Sequence, residues 1–256
     1  MNIKPTILIP MAGAGSRFVE EGYTTPKPLL PILGKPMVVS ATNALPQGDK
    51  YIFVIRDFQI SDYQIDQHLS EHFPNSQTVI LDYLTEGQAV TCLKTKELIN
   101  DEVPLIIGAS DNGMLYNKAL FEQLTHDTDC IVFTFRNNPA VLAKPQAYGW
   151  VKIDKDNNIK EMSVKKPISD TPLNDHSVVG AFWFKTGKLF VEAAERMIAQ
   201  NRRINNEFYV DECINDVIQL GYKAKVFEVD HYICWGTPND YKTFQYWEEY
   251  YNKVKP

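Results

Sequence analysis

The run Met11-Ala12-Gly13-Ala14-Gly15-Ser16-Arg17 and the segment Pro26-Lys27-Pro28 hold the residues whose types and spacing could do chemistry. Ala12 to Ser16 carry almost no side chain, so their backbone N–H groups can close around a phosphate chain and a flat base. Arg17 and Lys27 set two fixed positive charges beside that anion. The combination suits triphosphate chemistry. It is not a P-loop, which closes its glycine run with Gly-Lys-Ser/Thr, because Arg17 follows Gly15-Ser16. Nor is it a dinucleotide fingerprint, whose third small residue would stand at Phe18.

The elements that must position these residues alternate along the first half of the chain. Thr6–Pro10, Tyr51–Arg56, Gln77–Leu81, Pro104–Ala109 and Cys130–Phe135 are apolar, β-branched runs that read as buried strands. Asp62–Phe73, Gly87–Ile99 and Asn117–Leu124 between them fit amphipathic helices. The pattern predicts an α/β fold: a mainly parallel, Rossmann-like sheet with helices on both faces, binding ligands beyond the strand C-termini. Gly13–Arg17 and Ser110-Asp111-Asn112 both fall on that edge.

After about residue 140 the pattern changes. Strand-like Gly149–Ile153, Ile159–Val164 and Ser177–Phe184 are followed by helices at Lys188–Ala199 and Val210–Leu220. A strand at Lys223–Val229 and a helix from about Pro238 complete the chain. This reads as a smaller mixed-strand insertion on the same sheet. The expected organisation is one domain over 1–256, with a nucleotide-binding part to about 140 and an acceptor-binding part with a C-terminal helix beyond it.

Composition narrows the classes. With 256 residues, 44% of them hydrophobic, there is enough chain for a substantial core. A formal charge of −6 with no basic run argues against a nucleic-acid partner. No apolar run approaches a membrane span, and residues 1–11 do not fit a secretory signal. Cys92, Cys130, Cys213 and Cys234 are too scattered for a zinc site and read as reduced thiols, which suits a cytoplasmic protein.

The chain resembles the nucleotidyltransferases, or pyrophosphorylases, that activate sugar 1-phosphates. The resemblance rests on Gly13-Ala14-Gly15-Ser16-Arg17, Pro26-Lys27-Pro28-Leu29-Leu30-Pro31 with Gly34-Lys35-Pro36-Met37, and Glu86-Gly87-Gln88-Ala89. It continues through Asp111, Tyr148-Gly149, Lys166-Pro167, Val179-Gly180 and Gly236-Thr237-Pro238, so it spans nearly the whole length. It implies transfer of a nucleoside monophosphate from a triphosphate to a small phosphorylated acceptor, with pyrophosphate released. Arg17 is then the clamp on pyrophosphate and Lys27 the bridge near the α-phosphate, while Met11 to Ser16 with Gly87 and Gln88 hold the nucleotide. Asp111 would ligate Mg²⁺, though Ser-Asp-Asn-Gly is also good turn chemistry. Lys166 would bind the acceptor phosphate in a pocket lined by Tyr148, Gly149, Lys165 and Gly180. Asn206–Tyr209 fits polar contacts there or a helix cap equally well. The implied role is precursor synthesis for surface polysaccharide, and self-association is left open.

Two departures stand out. Many hexose-1-phosphate members carry glutamate before the pocket lysine, where this chain has Lys165, which suits an acceptor with an extra anionic group or simply points to solvent. A second metal-binding aspartate is expected where the chain has Cys234, a poor Mg²⁺ ligand. Both departures favour a cytidylyltransferase for a non-hexose phosphate within the same class. A glycosyltransferase would want a D-x-D pair where the chain reads Asp111-Asn112-Gly113. A nucleotide-sensing subunit is the non-enzymatic alternative, and retention of Arg17, Lys27 and Asp111 argues against it.

Overall fold

The computed structural model describes residues 3–254. Its centre is a nine-stranded sheet. In chain order the strands are β1 (Thr6–Pro10), β2 (Lys50–Arg56), β3 (Ser76–Leu81), β4 (Leu105–Ile107), β5 (Asn112–Leu115), β6 (Cys130–Phe135), β7 (Gly149–Ile153), β8 (Ile159–Val164), β9 (His176–Phe184), β10 (Ala224–Glu228) and β11 (His231–Cys234). β5 and β11 stand apart as an antiparallel pair, as do the two-residue strands Pro31–Ile32 and Lys35–Pro36.

β1 lies between β2 and β4, parallel to both, and β3 extends the parallel run. β9 is antiparallel to β4 on one edge and to β6 on the other, and β10 is parallel to β6. β7 pairs the first residues of β9, and β8 pairs β7, both antiparallel. Following these directions, seven strands point one way and only β8 and β9 oppose them. The register of β9 shifts between Val178 and Phe182, around Gly180 at φ +95°. The irregularity lets β9 serve β7 with its first half and β4 with its second.

Side-chain alternation builds two cores, one per face of the sheet. Leu8, Ile52, Val54, Leu105, Ile107 and Val132 point to one; Ile7, Ile9, Phe53, Ile55, Ile106 and Phe133 point to the other. Strands buried on both faces carry continuous apolar runs rather than an alternating pattern. Of the helices that matter here, α1 is Ser16–Glu20, α2 Met37–Asn43, α3 Ile65–His72, α4 Gln88–Leu93, α5 Lys118–Thr125, α6 Gly187–Ala199, α7 Val210–Gln219 and α8 Pro238–Val254. α4, α6 and α7 cover the first core; α2, α3 and α5 cover the second. Helices therefore flank both faces, as the sequence pattern predicts.

Several boundaries differ from expectation. The helix expected over Gly87–Ile99 breaks after Leu93 and resumes at Lys96, with the Thr95 hydroxyl donating to the Cys92 carbonyl at 2.7 Å between the pieces. Asp62–Phe73 shortens to α3 because Gln64 is left-handed, at φ +50°. β4 is shorter than Pro104–Ala109, although the Gly108 amide still bonds the Leu8 carbonyl at 3.0 Å. β3 forms the sheet edge, so most of its side chains are exposed or half-buried rather than buried. β5 and β11 correspond to no predicted strand.

A third, smaller core of Phe18, Leu30, Ile32, Met37, Ala41, Trp235 and Tyr241 lies under the glycine-rich loop. Phe18 packs edge-on to Tyr241 at 6.2 Å between ring centres, and the Tyr241 hydroxyl donates to the Pro31 carbonyl at 3.1 Å. The C-terminal helix thereby fixes both segments that carry Arg17 and Lys27.

Candidate functional site

β1 ends at Pro10, and the chain leaves the sheet through Met11 to Gly15, with Gly15 left-handed at φ +61°. Among the described residues the amides of Gly13, Ala14 and Gly15 make no backbone hydrogen bond. They are free donors on the wall of a cleft of about 370 Å³ that Ala12 to Phe18, Lys27, Thr85, Gly87, Gln88, Glu207 and Gly236 line. A second cleft of about 230 Å³ opens on the other side of the loop and shares Gly13, Ala14, Gly15, Phe18 and Lys27 with the first. Met11 borders this second cleft and is buried, its amide bonded to the Val54 carbonyl at 2.9 Å. Arg17 is exposed and makes no ion pair among the described residues.

Lys27 opens a single 3-10 turn, Lys27–Leu29, and is the meeting point of the site. Its Nζ donates to Asp111 Oδ2 at 2.5 Å and to the Gly236 carbonyl at 3.0 Å, and lies 5.5 Å from the centre of the Phe18 ring. Asp111 stands just beyond β4, and its carbonyl accepts from the Trp235 amide at 2.8 Å. Residues 27, 111 and 236, far apart in sequence, thus meet at one mouth.

Cys234 joins this cluster. Its Sγ accepts from the Gly236 amide at 3.3 Å and lies 3.5 Å from Asp240 Oδ2. Burial, with Asp111 and Asp240 adding negative charge, pushes the thiol up to about 12, so it stays protonated at neutral pH. No group of three or more metal-ligating side chains exists among the described residues. The carboxylate that the cluster sets beside Lys27 is Asp111. That fits Mg²⁺, which commonly takes one or two carboxylates and completes its shell with phosphate oxygens and water.

Gly87 precedes α4 at φ +121°, where a Cβ would stand 2.5 Å from the Phe208 nitrogen and 2.6 Å from its oxygen. Only glycine admits this approach. The contact is closed by two hydrogen bonds, Phe208 amide to Glu86 carbonyl at 2.8 Å and Ala89 amide to Phe208 carbonyl at 2.9 Å. Of Asn206–Tyr209, Glu207 lines the first cleft, and Tyr209 precedes α7 without a side-chain cap hydrogen bond.

The two lysines after β8 part company. Lys166 is exposed, whereas Lys165 is half-buried, left-handed at φ +61°, and donates from Nζ to the Ala147 carbonyl at 2.6 Å. Lys165, not Lys166, joins the group formed by Tyr148, Gly149 and Tyr209. Tyr148 is half-buried, packed edge-on to Phe135 at 5.9 Å. Gly180 sits against Ala109 and Asn112 at the strand ends.

Asp211, which sequence reasoning missed, packs against Gly149 so closely that a Cβ there would lie 2.4 Å from Asp211 Oδ2. Burial raises its carboxyl to about 6 despite the neighbouring Lys165 charge. Its signal in the sequence is faint, an aspartate in the first turn of an amphipathic helix, which is ordinary helix-end chemistry.

The cleft is walled by free loop amides with Arg17 and Lys27, the latter bonded to Asp111, donors of the kind a polyphosphate takes. The sequence model described as Nucleotidyl transferase matches residues 6–248.

The chain belongs to the nucleotidyl transferase family.

Solved structures share the nucleotidyl transferase fold across almost their whole length. A nucleoside-diphosphate-sugar pyrophosphorylase from Vibrio cholerae RC9 is 19% identical at a TM-score of 0.74, covering 93% of this chain and 98% of that one. The inositol-1-phosphate CTP transferase from T. maritima is 13% identical at 0.72, covering 95% of each chain. A UDP-glucose pyrophosphorylase complexed with UDP-glucose is 20% identical at 0.71, covering 98% and 100%. No curated protein matches in sequence. No helix among the described residues is long and apolar enough to cross a membrane.

Proposed function

We propose that the protein transfers a nucleoside monophosphate from a nucleoside triphosphate to a small phosphorylated acceptor, a sugar 1-phosphate or a relative of one. The observation that carries this reading is the Lys27–Asp111 pair, 2.5 Å apart at the mouth of the loop cleft that Arg17 also lines. An acceptor phosphate oxygen forms the new bond to the α-phosphorus, the bond from that phosphorus to the bridging oxygen breaks, and pyrophosphate carries away the electron pair. The nucleophile is already anionic, so catalysis rests on in-line placement and charge neutralisation.

In this scheme the loop amides and Arg17 bind the leaving phosphates, Lys27 neutralises charge near the α-phosphate, and Gly87 with Gln88 borders the base. Asp111 would hold Mg²⁺, which supplies further neutralisation of the phosphate oxygens. Lys165, Gly149 and Tyr148 form the acceptor end, with Lys166 beside them on the surface. Such a product fits cytoplasmic synthesis of precursors for surface polysaccharide. Likeness to the inositol-1-phosphate CTP transferase, together with Lys165, supports a cytidylyl transfer to a non-hexose phosphate within this class.

Screening the four ribonucleoside triphosphates and thymidine triphosphate against a panel of phosphorylated acceptors, with pyrophosphate as the readout, tests the proposal. Release with a specific pair is expected. Silence across the panel, with triphosphate binding intact, would instead indicate a nucleotide sensor.

A further inference from the structure

Lys165 adopts a conformation that an L residue avoids unless its surroundings impose it. The imposition comes from the segment before β7. The Lys165 amide donates to the Tyr148 carbonyl at 3.0 Å, and its Nζ donates to the Ala147 carbonyl at 2.6 Å. Backbone and side chain therefore both fold back onto one stretch, with the ammonium 5.4 Å from the centre of the Tyr209 ring.

An ammonium has three protons to donate. Among the described residues the Ala147 carbonyl is the one hydrogen-bond acceptor of Lys165 Nζ, and no carboxylate comes within 4 Å of it. The charges around it come from four places: Asp211 on α7 and Glu207 just before it favour the ammonium, while Arg17 and Lys144 oppose it. Asp211 is held back against Gly149 and does not close on the lysine. The result is a fixed cation, its ammonium held by the Ala147 carbonyl and its backbone by the Tyr148 carbonyl, with two donors unspent.

We infer that Lys165 selects the acceptor, binding a second anionic group, carboxylate or phosphate, set apart from the phosphate that reacts. This deepens the proposed nucleotidyl transfer and rests on it for the identity of the reacting phosphate. Arg17 is taken up by the leaving phosphates, so Lys165 is left as a fixed ammonium with unspent donors at the acceptor end, which favours an acidic acceptor over a neutral one.

The test uses matched acceptors that differ only in the added charge. These are glucose 1-phosphate against glucuronic acid 1-phosphate and against glucose 1,6-bisphosphate, and glycerol 3-phosphate against 3-phosphoglycerate. Binding is measured by calorimetry on the full chain with triphosphate and Mg²⁺, in parallel with pyrophosphate release. The charged member of at least one pair is expected to bind tenfold or more tightly. That advantage should vanish in Lys165→Asn, which suits the left-handed backbone, and reverse in Lys165→Glu, while triphosphate affinity holds. The carboxylate and phosphate arms identify which anion is read.

Equal binding within every pair, or a preference that survives Lys165→Glu, overturns the inference. Preferential binding without turnover sinks the transfer reading and leaves the Lys165 assignment standing. Binding of no acceptor sinks both.

Discussion

Lys27 makes three contacts at once: a carboxylate, a carbonyl and the face of an aromatic ring. Removing its ammonium leaves Asp111 beside a neutral thiol and withdraws positive charge from the mouth of the cleft. Lys27→Met is expected to lower kcat for pyrophosphate release by about 10²–10³-fold, the scale of losing one well-placed electrostatic donor. Triphosphate affinity should fall far less, and unchanged turnover would refute the role. Asp211 makes a separate prediction about pH. Its folded value, about 6, lies above the ordinary carboxylate value of 3.8. The folded state thus holds this proton more tightly, and the associated stability is full below 3.8 and lost as pH rises through about 6. Asp211→Asn should therefore gain thermal stability relative to the parent between about pH 4 and about pH 7. Melting curves whose difference stays constant across that range would contradict it.

At the level of elements, α6 and α7 are joined by charge as well as packing. Asp216 is fully buried on α7, bonded to Arg202, and its other oxygen lies 3.2 Å from Arg196 on α6. Asp216→Ala opens a void and removes one partner each from Arg202, which keeps Glu212, and from part-exposed Arg196, and should cost about 1.5–3 kcal/mol. Urea denaturation should show the midpoint falling with little change in slope. Gly87→Ala drives a methyl into the Phe208 backbone and should destabilise by about 1–3 kcal/mol, while also weakening triphosphate binding through α4. Retention of both properties would mean that the clasp between residues 86 and 208 is dispensable.

Legibility in the sequence also followed the elements. β1 and β6 have the bounds that their apolar runs predict, because a strand buried on both faces carries its own signal. β5 and β11 are four residues each, and β5 contains Gly113, so neither gives a periodicity to read. The loop with Arg17 and Lys27 was legible from residue types and spacing, whereas Asp111 stood out only through the family resemblance, since Ser-Asp-Asn-Gly alone reads as a turn. The different placement of Lys165 and Lys166 was not legible, since it follows from one backbone dihedral set by Ala147 and Tyr148. Asp211 was hidden for a similar reason: its burial is made by Gly149, sixty-two positions earlier in the numbering.

Across the whole molecule, the loop cleft is bounded by residues from position 10 to position 236, so the proposed ligand should stabilise the entire fold on binding. A triphosphate with Mg²⁺ at about a hundredfold above Kd is expected to add about 2.7 kcal/mol, read as a rise in Tm. Chelation of the cation should remove part of that rise, and a Tm indifferent to triphosphate would speak against the cleft as its site. The small core beneath the loop has a temporal consequence. Phe18 and Leu30 leave the ribosome some two hundred residues ahead of Trp235 and Tyr241, the partners that bury them. At about 5–20 residues per second, the glycine-rich loop spends roughly 10–40 s without its floor. The nascent chain can build most of its sheet in that interval, but the loop is not fixed until the last helix packs.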